Sequence, residues 1–302
     1  MLLFFLVRIV CGQFFFPIPH PETTVGKHSG ENIMKTKQNT FYPLAGIAVF
    51  ILIWQVLSKY IISKSWLLPT PGQVLSSFGA NVGLIWDHSL YSLAEAGLGL
   101  LLSAVLSMIF ALLMSLLPAV RKTLYPLLLV SQMIPIIVLA PLFIIWFGYG
   151  ILPKILVVIL ICFFPMTINI LSGLAATDSE TAAFFRAMGM NVSQLFRMVI
   201  LPNALPYFFS GLRISAVYSV MGAVIGEWLG ATAGLGLLII RAQNSFQIDL
   251  VFAGILAIIF WSALLFWAVK AAEAKLLSWQ KYQSGDKWES LPPSAENISG
   301  DA

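Results

Sequence analysis

The chain is 302 residues long, with 59% hydrophobic and 10% charged side chains. So little polar surface cannot cover a water-soluble globule of this size, which leaves an all-α, polytopic helical membrane protein as the expected class. The net charge of +4 is small and sits mostly in a few loops. There a basic balance reports topology, so nucleic acid is not an expected partner.

Residues 1–33 hold one short apolar run, "MLLFFLVRIV", followed by Pro17, Pro19 and Pro21. The run is too short to cross a bilayer, and Arg8 together with the lack of a small-residue cleavage site argues against a signal peptide. The segment reads as a non-native or disordered extension. Met34 then opens "MKTKQNTFYPLAG", a short basic head leading into an apolar helix, as a cytoplasmic start does.

Residues 34–279 read as one transmembrane domain. Six spans are predicted at 44–62, 89–117, 125–147, 151–174, 207–229 and 251–269, each close to or above the roughly 20 residues that a crossing needs. With the N-terminus inside, the cytoplasmic segments hold Lys35, Lys37, Arg121, Lys122, Arg186, Arg197, Lys270, Lys275, Lys281 and Lys287. The outer side holds Lys59, Lys64, Lys154 and Arg241. This asymmetry puts both termini in the cytoplasm. Residues 280–302 are rich in Ser, Pro and Gly and read as a disordered cytoplasmic tail. Cys11, in the apolar leader, and Cys162, inside a span, suggest no redox or metal chemistry.

The loop between spans four and five, residues 177–203, is polar-studded and cytoplasmic on this topology. Thr177 and Glu180 have capping-box spacing and predict a first short helix, which Gly189 closes. Asn191 and Gln194 predict a second start, after which Val192, Leu195, Phe196, Val199 and Ile200 form one apolar face opposite Ser193, Gln194 and Arg197. Leu201–Pro202 and Pro206 are expected to end that helix and redirect the chain into span five. On periodicity alone the two helices and the glycine break between them also fit an interfacial element lying on lipid. The first presents Ala182, Ala183, Phe184, Phe185, Ala187 and Met188 beside Arg186, a mixture of small and large apolar groups suited to a groove on a protein partner.

In this loop Gly189 is followed at the right spacing by Val199, Leu201 and Pro202. The loop thus resembles the cytoplasmic signature of permease subunits in bacterial ATP-binding-cassette importers: E-A-A, three residues, Gly, nine residues, Ile-x-Leu-Pro. The E-A-A positions are occupied by Ala183, Phe184 and Phe185, and the nearest acid, Glu180, lies three residues early. "LLPTPGQVLSSF" from Leu67, "PLFIIWFGYGILPKI" from Pro141 and "GAVIGEWLGATAGLGLLI" from Gly222 are similar to the subgroup importing nitrate, taurine, sulfonates and thiamine-precursor pyrimidines. The last is most similar to the pyrimidine branch.

The resemblance implies a type I importer fold and a loop that couples to a separate ATPase subunit through Glu180, Ala183, Phe184, Phe185, Met188, Gly189, Leu201 and Pro202. It also implies two ATPase subunits, an external solute-binding protein, a second permease copy and surrounding lipid as partners. No cofactor is expected on this chain, since ATP would be bound by the partner. In keeping with that, the sequence holds no G-x-x-x-x-G-K-[ST] phosphate loop.

Ionisable groups inside spans are costly and suggest function. Glu95 and Glu227, both placed towards the outer side, are candidates for the pathway mouth or for contact with the binding protein, against the plainer roles of interface reach or backbone capping. Gln132 and Asn169 are candidate pathway liners or interhelical hydrogen bonders. Arg213 reads as a snorkelling anchor. Gly97, Gly99, Gly222, Gly226 and Gly230 allow close helix approach, and Trp54, Trp66, Trp86, Trp146, Trp228 and Trp279 lie near span ends as interface anchors do. A stand-alone secondary transporter would show internal repeats and mid-membrane charge pairs, which are not evident. A membrane enzyme would need a catalytic or metal cluster, and His20, His28 and His88 all fall outside the predicted spans.

Overall fold

The computed structural model describes residues 41–62 and 67–277. The expected extension and tail, Met34, Cys11, His20, His28, Trp66 and Trp279 lie outside the described residues. By internal contacts the chain divides into Met1–Ala48 and Val49–Ala302. The first unit is described only in the opening turns of α1, which runs over Phe41–Val56 and continues as a π-helical stretch over Leu57–Ile62.

The second unit continues with α2 (Pro71–Ala80), α3 (Val82–Leu116), α4 (Pro118–Ser131), α5 (Ile136–Phe147), α6 (Ile151–Ala175), α7 (Ser179–Ala187) and α8 (Val192–Leu195), which passes into a π-turn at Phe196–Ile200. It closes with α9 (Leu201–Glu227), α10 (Leu235–Asn244) and α11 (Ile248–Leu276). Every regular element among the described residues is helical. By length and composition α3, α6, the α8–α9 helix and α11 can each cross a membrane. The expected third span is instead broken, with α4 and α5 bent by 102° at a short connection. The first is a shorter apolar helix, Ala45–Tyr60. Among the described residues, four of the six expected spans are single helices of crossing length, or five if the bent pair counts as one. The break follows from Pro135, which cannot donate to the helix ladder and disfavours helical backbone in the residue before it. Sequence reading also passed over α2, whose Thr70 and Gln73 form a complete capping box behind Pro71, and α10.

Helix α6 lies at the centre, packed most heavily against α9 and next against α3. Small residues permit the approach. A β-carbon on Gly99 would strike the Val158 side chain, one on Gly222 would lie 3.2 Å from the Val158 Cα, and one on Gly226 would lie 3.1 Å from the Lys154 Cα. Gly97 faces open space, so only part of the expected glycine face is used within the chain. In lipid, where apolar burial adds little, such close packing and cross-helix hydrogen bonds hold helices together. Ser107 Oγ donates to the Phe163 carbonyl at 3.0 Å, and Ser215 Oγ and Cys162 Sγ each donate to the other residue's carbonyl at 3.1 and 3.3 Å.

Three apolar clusters run through this unit. Ala96, Val158, Met166, Ala216 and Val220 form one of them. Ile85, Val224, Leu235, Leu238 and Ala253 seat α10 on α3, α9 and α11. Ala111, Ile170, Leu174 and Ala204 receive Phe196 and Ile200, so much of the apolar face expected for the second loop helix rests on protein. That helix does not stop at Leu201–Pro202 or at Pro206 but continues as one 36-residue helix to Glu227. The Leu201 N–H bonds to the Phe196 carbonyl, five residues back. This widened π-turn relaxes the ladder where Pro202 enters it, and packing against neighbours sustains helices that contain internal prolines.

Candidate functional sites at the two ends of one helix

At the end of α9 where the 177–203 loop lies, α7 begins one residue later than its capping pattern implies. Asp178 occupies the N-cap with no side-chain cap bond, and the Thr177 hydroxyl is buried without a hydrogen-bond partner among the described residues. The shifted register puts Thr181, not an acid, at the third helical position, so the Thr177–Glu180 box does not form. The helix closes as expected. Gly189 has φ +91° and space around it, and its N–H donates to the Arg186 carbonyl at 3.0 Å while the Met190 N–H donates to Phe185 at 3.1 Å. This two-bond closure needs a residue in the left-handed region, which glycine enters without steric cost. Asn191 and Gln194 form the complete box that starts α8.

The resulting surface is apolar and open. Phe184 and Met188 are 62% and 67% exposed, and Glu180, Ala183, Val192 and Met198 are exposed too. Phe185 is half-buried, with its ring edge-on to Phe184 at 5.7 Å between centroids. Leu201 and Pro202 are half-buried at the root of α9.

At the other end of α9, Glu227 is fully buried. Its Oε1 accepts from Ser92 Oγ of α3 and its Oε2 from the Gly236 N–H of α10, each at 2.6 Å. The same Ser92 oxygen accepts from the Leu235 N–H at 2.8 Å. His88 Nδ1 stands 3.0 Å from the Gly234 nitrogen and 2.8 Å from its carbonyl oxygen. The loop residues wrap the carboxylate so closely that a side chain on Gly234, at φ +127°, would strike it, and one on Gly236 would come within 3.0 Å. One turn along α3 from Ser92, Glu95 accepts from Lys154 Nζ of α6 at 2.6 Å, both side chains being nearly buried. The second Glu95 oxygen is buried without a hydrogen-bond partner among the described residues.

Both carboxylates therefore turn into this chain, and Glu227 plays the backbone-capping part. His88 is not outside the spans, because α3 starts at Val82, seven residues before the expected Ser89. Lys154, counted as an outer loop charge, is inside the helix packing. Ser92 and the α10 backbone escaped the sequence reading because Ser92 and Glu227 stand 135 residues apart and nothing local marks their pairing. Arg213 is no lone anchor. It forms an ion pair with Glu273 of α11 at 2.8 Å and donates to Ser210 at 3.0 Å. Gln132 is exposed where α4 ends at the break. Asn169 is half-buried against Gly211 of α9, its amide donating to the Pro165 carbonyl of its own helix at 2.7 Å.

Several helices long and apolar enough to cross a membrane, an open apolar surface on one interhelical loop, and ion pairs that hold Lys154 and Arg213 within the helix packing are the features of a polytopic membrane protein. Residues 103–278 match the family of binding-protein-dependent transport system inner membrane components, and the chain belongs to that family. It is the permease subunit of an ATP-binding-cassette importer, a transport component without an ATPase site of its own. It is similar to the formylaminopyrimidine transport permease protein ThiX of Halalkalibacterium halodurans, 39% identical over 83% of this chain and 100% of that one. A probable ABC transporter permease protein of Haemophilus influenzae is 37% identical over 75% and 93%. The putative aliphatic sulfonates transport permease protein SsuC of Bacillus subtilis is 33% identical over 79% and 87%.

Proposed function

We propose that this permease carries a thiamine-precursor pyrimidine, of the hydroxymethylpyrimidine or formylaminopyrimidine kind, across a bacterial plasma membrane. The observation that carries this reading is the 39% identity to the formylaminopyrimidine permease over that protein's whole length. The electrostatics agree. Lys154 and Arg213, the two cations set among the packed helices α6 and α9, are each paired with a carboxylate, which suits a neutral heterocycle better than an anion needing a counter-charge. Nitrate, taurine or an aliphatic sulfonate in the same role is the second reading, favoured by the 33% identity to the sulfonate permease. ATP-dependent uptake of labelled hydroxymethylpyrimidine into proteoliposomes, competed by unlabelled pyrimidine and not by taurine, is the expected result. Uptake of taurine, sulfonate or nitrate in its place overturns the pyrimidine reading.

On this proposal both termini lie in the cytoplasm and α7 docks in the ATPase subunit, with Phe184 and Met188 entering its groove. A second permease copy covers α4 and α5, which bury almost nothing within this chain, and Gln132 at their break faces the solute path. Backbone that leaves the helix inside a membrane needs such cover or an aqueous cavity. Ala183→Glu, which sets an unpaired charge in the docked face, and Gly189→Pro, which forbids the left-handed closure, are expected to leave the chain inserted but to abolish ATPase co-purification and uptake, with Arg197→Ala milder. Normal assembly of the first two would make the loop a lipid-facing element.

A further inference from the structure

The carboxylate of Glu227 holds α10 in place, and α10 carries an unusual turn. After Asn244 the chain closes with the Ser245, Phe246 and Gln247 N–H groups donating to the Arg241, Gln243 and Ala242 carbonyls at 3.0, 3.1 and 2.9 Å. The residue in the left-handed position is Phe246, at φ +56°, the only non-glycine residue with positive φ among the described residues. Glycine fills such a position without cost and a phenyl side chain does not. Yet the Phe246 ring is 74% exposed, so the conformation is not maintained for packing inside the chain. Phe246 is flanked in the chain by Arg241, Gln243, Asn244, Ser245 and Gln247, all exposed. Leu235, Leu238, Ile239 and Ala242 of α10 are buried. An exposed aromatic residue in a run of exposed polar ones is the composition of a protein-binding hot spot, whereas a lipid-seated helix has an apolar outer face.

Helix α9 fixes which side of the membrane this edge faces. Its 27 residues rise about 40 Å, more than the roughly 30 Å hydrocarbon core. The α10 edge therefore lies across the membrane from the α7 knob. With the ATPase on the α7 side, the protein partner left for the far side of a binding-protein-dependent system is the solute-binding protein.

We propose that Glu227, through Ser92 and the Gly236 N–H, is a positioning residue that presents the Arg241–Phe246 edge as a docking surface for the solute-binding protein, with Phe246 inserted into that partner. This rests on the importer reading and adds to it a surface and the residue that sets it.

The test uses the permease assembled with its ATPase subunits in proteoliposomes. The probe is the solute-binding protein that gives solute-stimulated ATP hydrolysis with the wild-type assembly, titrated against Phe246→Gly, Ser92→Ala and Glu227→Gln. Phe246→Gly relieves the turn, so its melting temperature should equal or exceed the wild-type value. Its half-saturating binding-protein concentration should nevertheless rise about tenfold or more, as for loss of an aromatic hot spot. Ser92→Ala and Glu227→Gln should raise the same concentration while the rate at saturation holds, and should speed amide exchange at Leu235 and Gly236. Should Glu227→Gln fail to assemble, Ser92→Ala tests the positioning role and Phe246→Gly the surface. Half-saturating concentrations at the wild-type value in both, with Phe246→Gly as stable as the parent, overturn the proposal and leave the ring resting on lipid. Wild-type assemblies that no binding protein stimulates overturn the importer reading beneath it.

Discussion

At the Glu227 end of α9 the polar groups are buried and the chain satisfies most of them itself, whereas at the α7 end apolar groups stand exposed and the chain leaves them uncovered. Glu227 meets Ser92 and Gly236 within 2.6 Å, while Phe184 of α7 and Met188 just beyond it are largely exposed. Both invert the usual distribution of polar and apolar groups, for different reasons. A buried carboxylate is tolerated only where donors surround it, so its partners mark an element that must stay put. On the proposed function, the exposed apolar cluster at the α7 end is tolerated because the ATPase subunit covers it.

The contrast can be broken first at Gly234. Gly234→Ala puts a methyl group against the Glu227 carboxylate at φ +127°, and the clash and backbone strain together should cost on the order of 3 kcal/mol or more. Loss of the monodisperse peak in detergent and a steep fall in melting temperature are the expected readouts. Lys154→Ala comes next, because it leaves the nearly buried Glu95 carboxyl without its partner. About 3–5 kcal/mol should be lost, and Lys154→Met combined with Glu95→Met should regain most of it. A double variant as unstable as the single one would show that the pair's packing matters more than its charge.

Arg213→Ala sharpens the comparison with a less buried pair. Its side chain and that of Glu273 are 29% and 17% exposed, and the loss should be about 1 kcal/mol or less. At the α7 end, Phe184→Ser should move stability by no more than about 0.5 kcal/mol, since it removes an exposed ring, and yet should lose the ATPase subunit on co-purification. A melting temperature lowered as far as in Lys154→Ala would mean that Phe184 is structural and that the two ends do not differ in kind.

Local patterns carried much of this protein in its sequence. Apolar runs of crossing length located α3, α6, α9 and α11, because a bilayer forces each crossing to be one long helix with its own backbone bonds satisfied. The two-helix loop was legible too: the Asn191–Gln194 box and the Gly189 closure involve neighbours three to five residues apart, and such geometry is encoded where it is used. The first start was misplaced by one residue because Thr177–Glu180 had the right spacing while the turn after α6 set another register. The Pro202 stop failed because a π-turn absorbed what proline normally breaks.

The bond between Ser92 and Glu227, the pairing of Glu95 with Lys154 and that of Arg213 with Glu273 join residues that composition and spacing cannot connect. Which face of each crossing turns towards α6 was equally hidden, since helices apolar all round carry no stripe to orient them. Only the packed tertiary structure decided these. Rotation and depth in a membrane bundle are fixed by where small residues let backbones meet, as Gly222 and Gly226 do against Val158 and Lys154, and by where a buried polar group finds its donor.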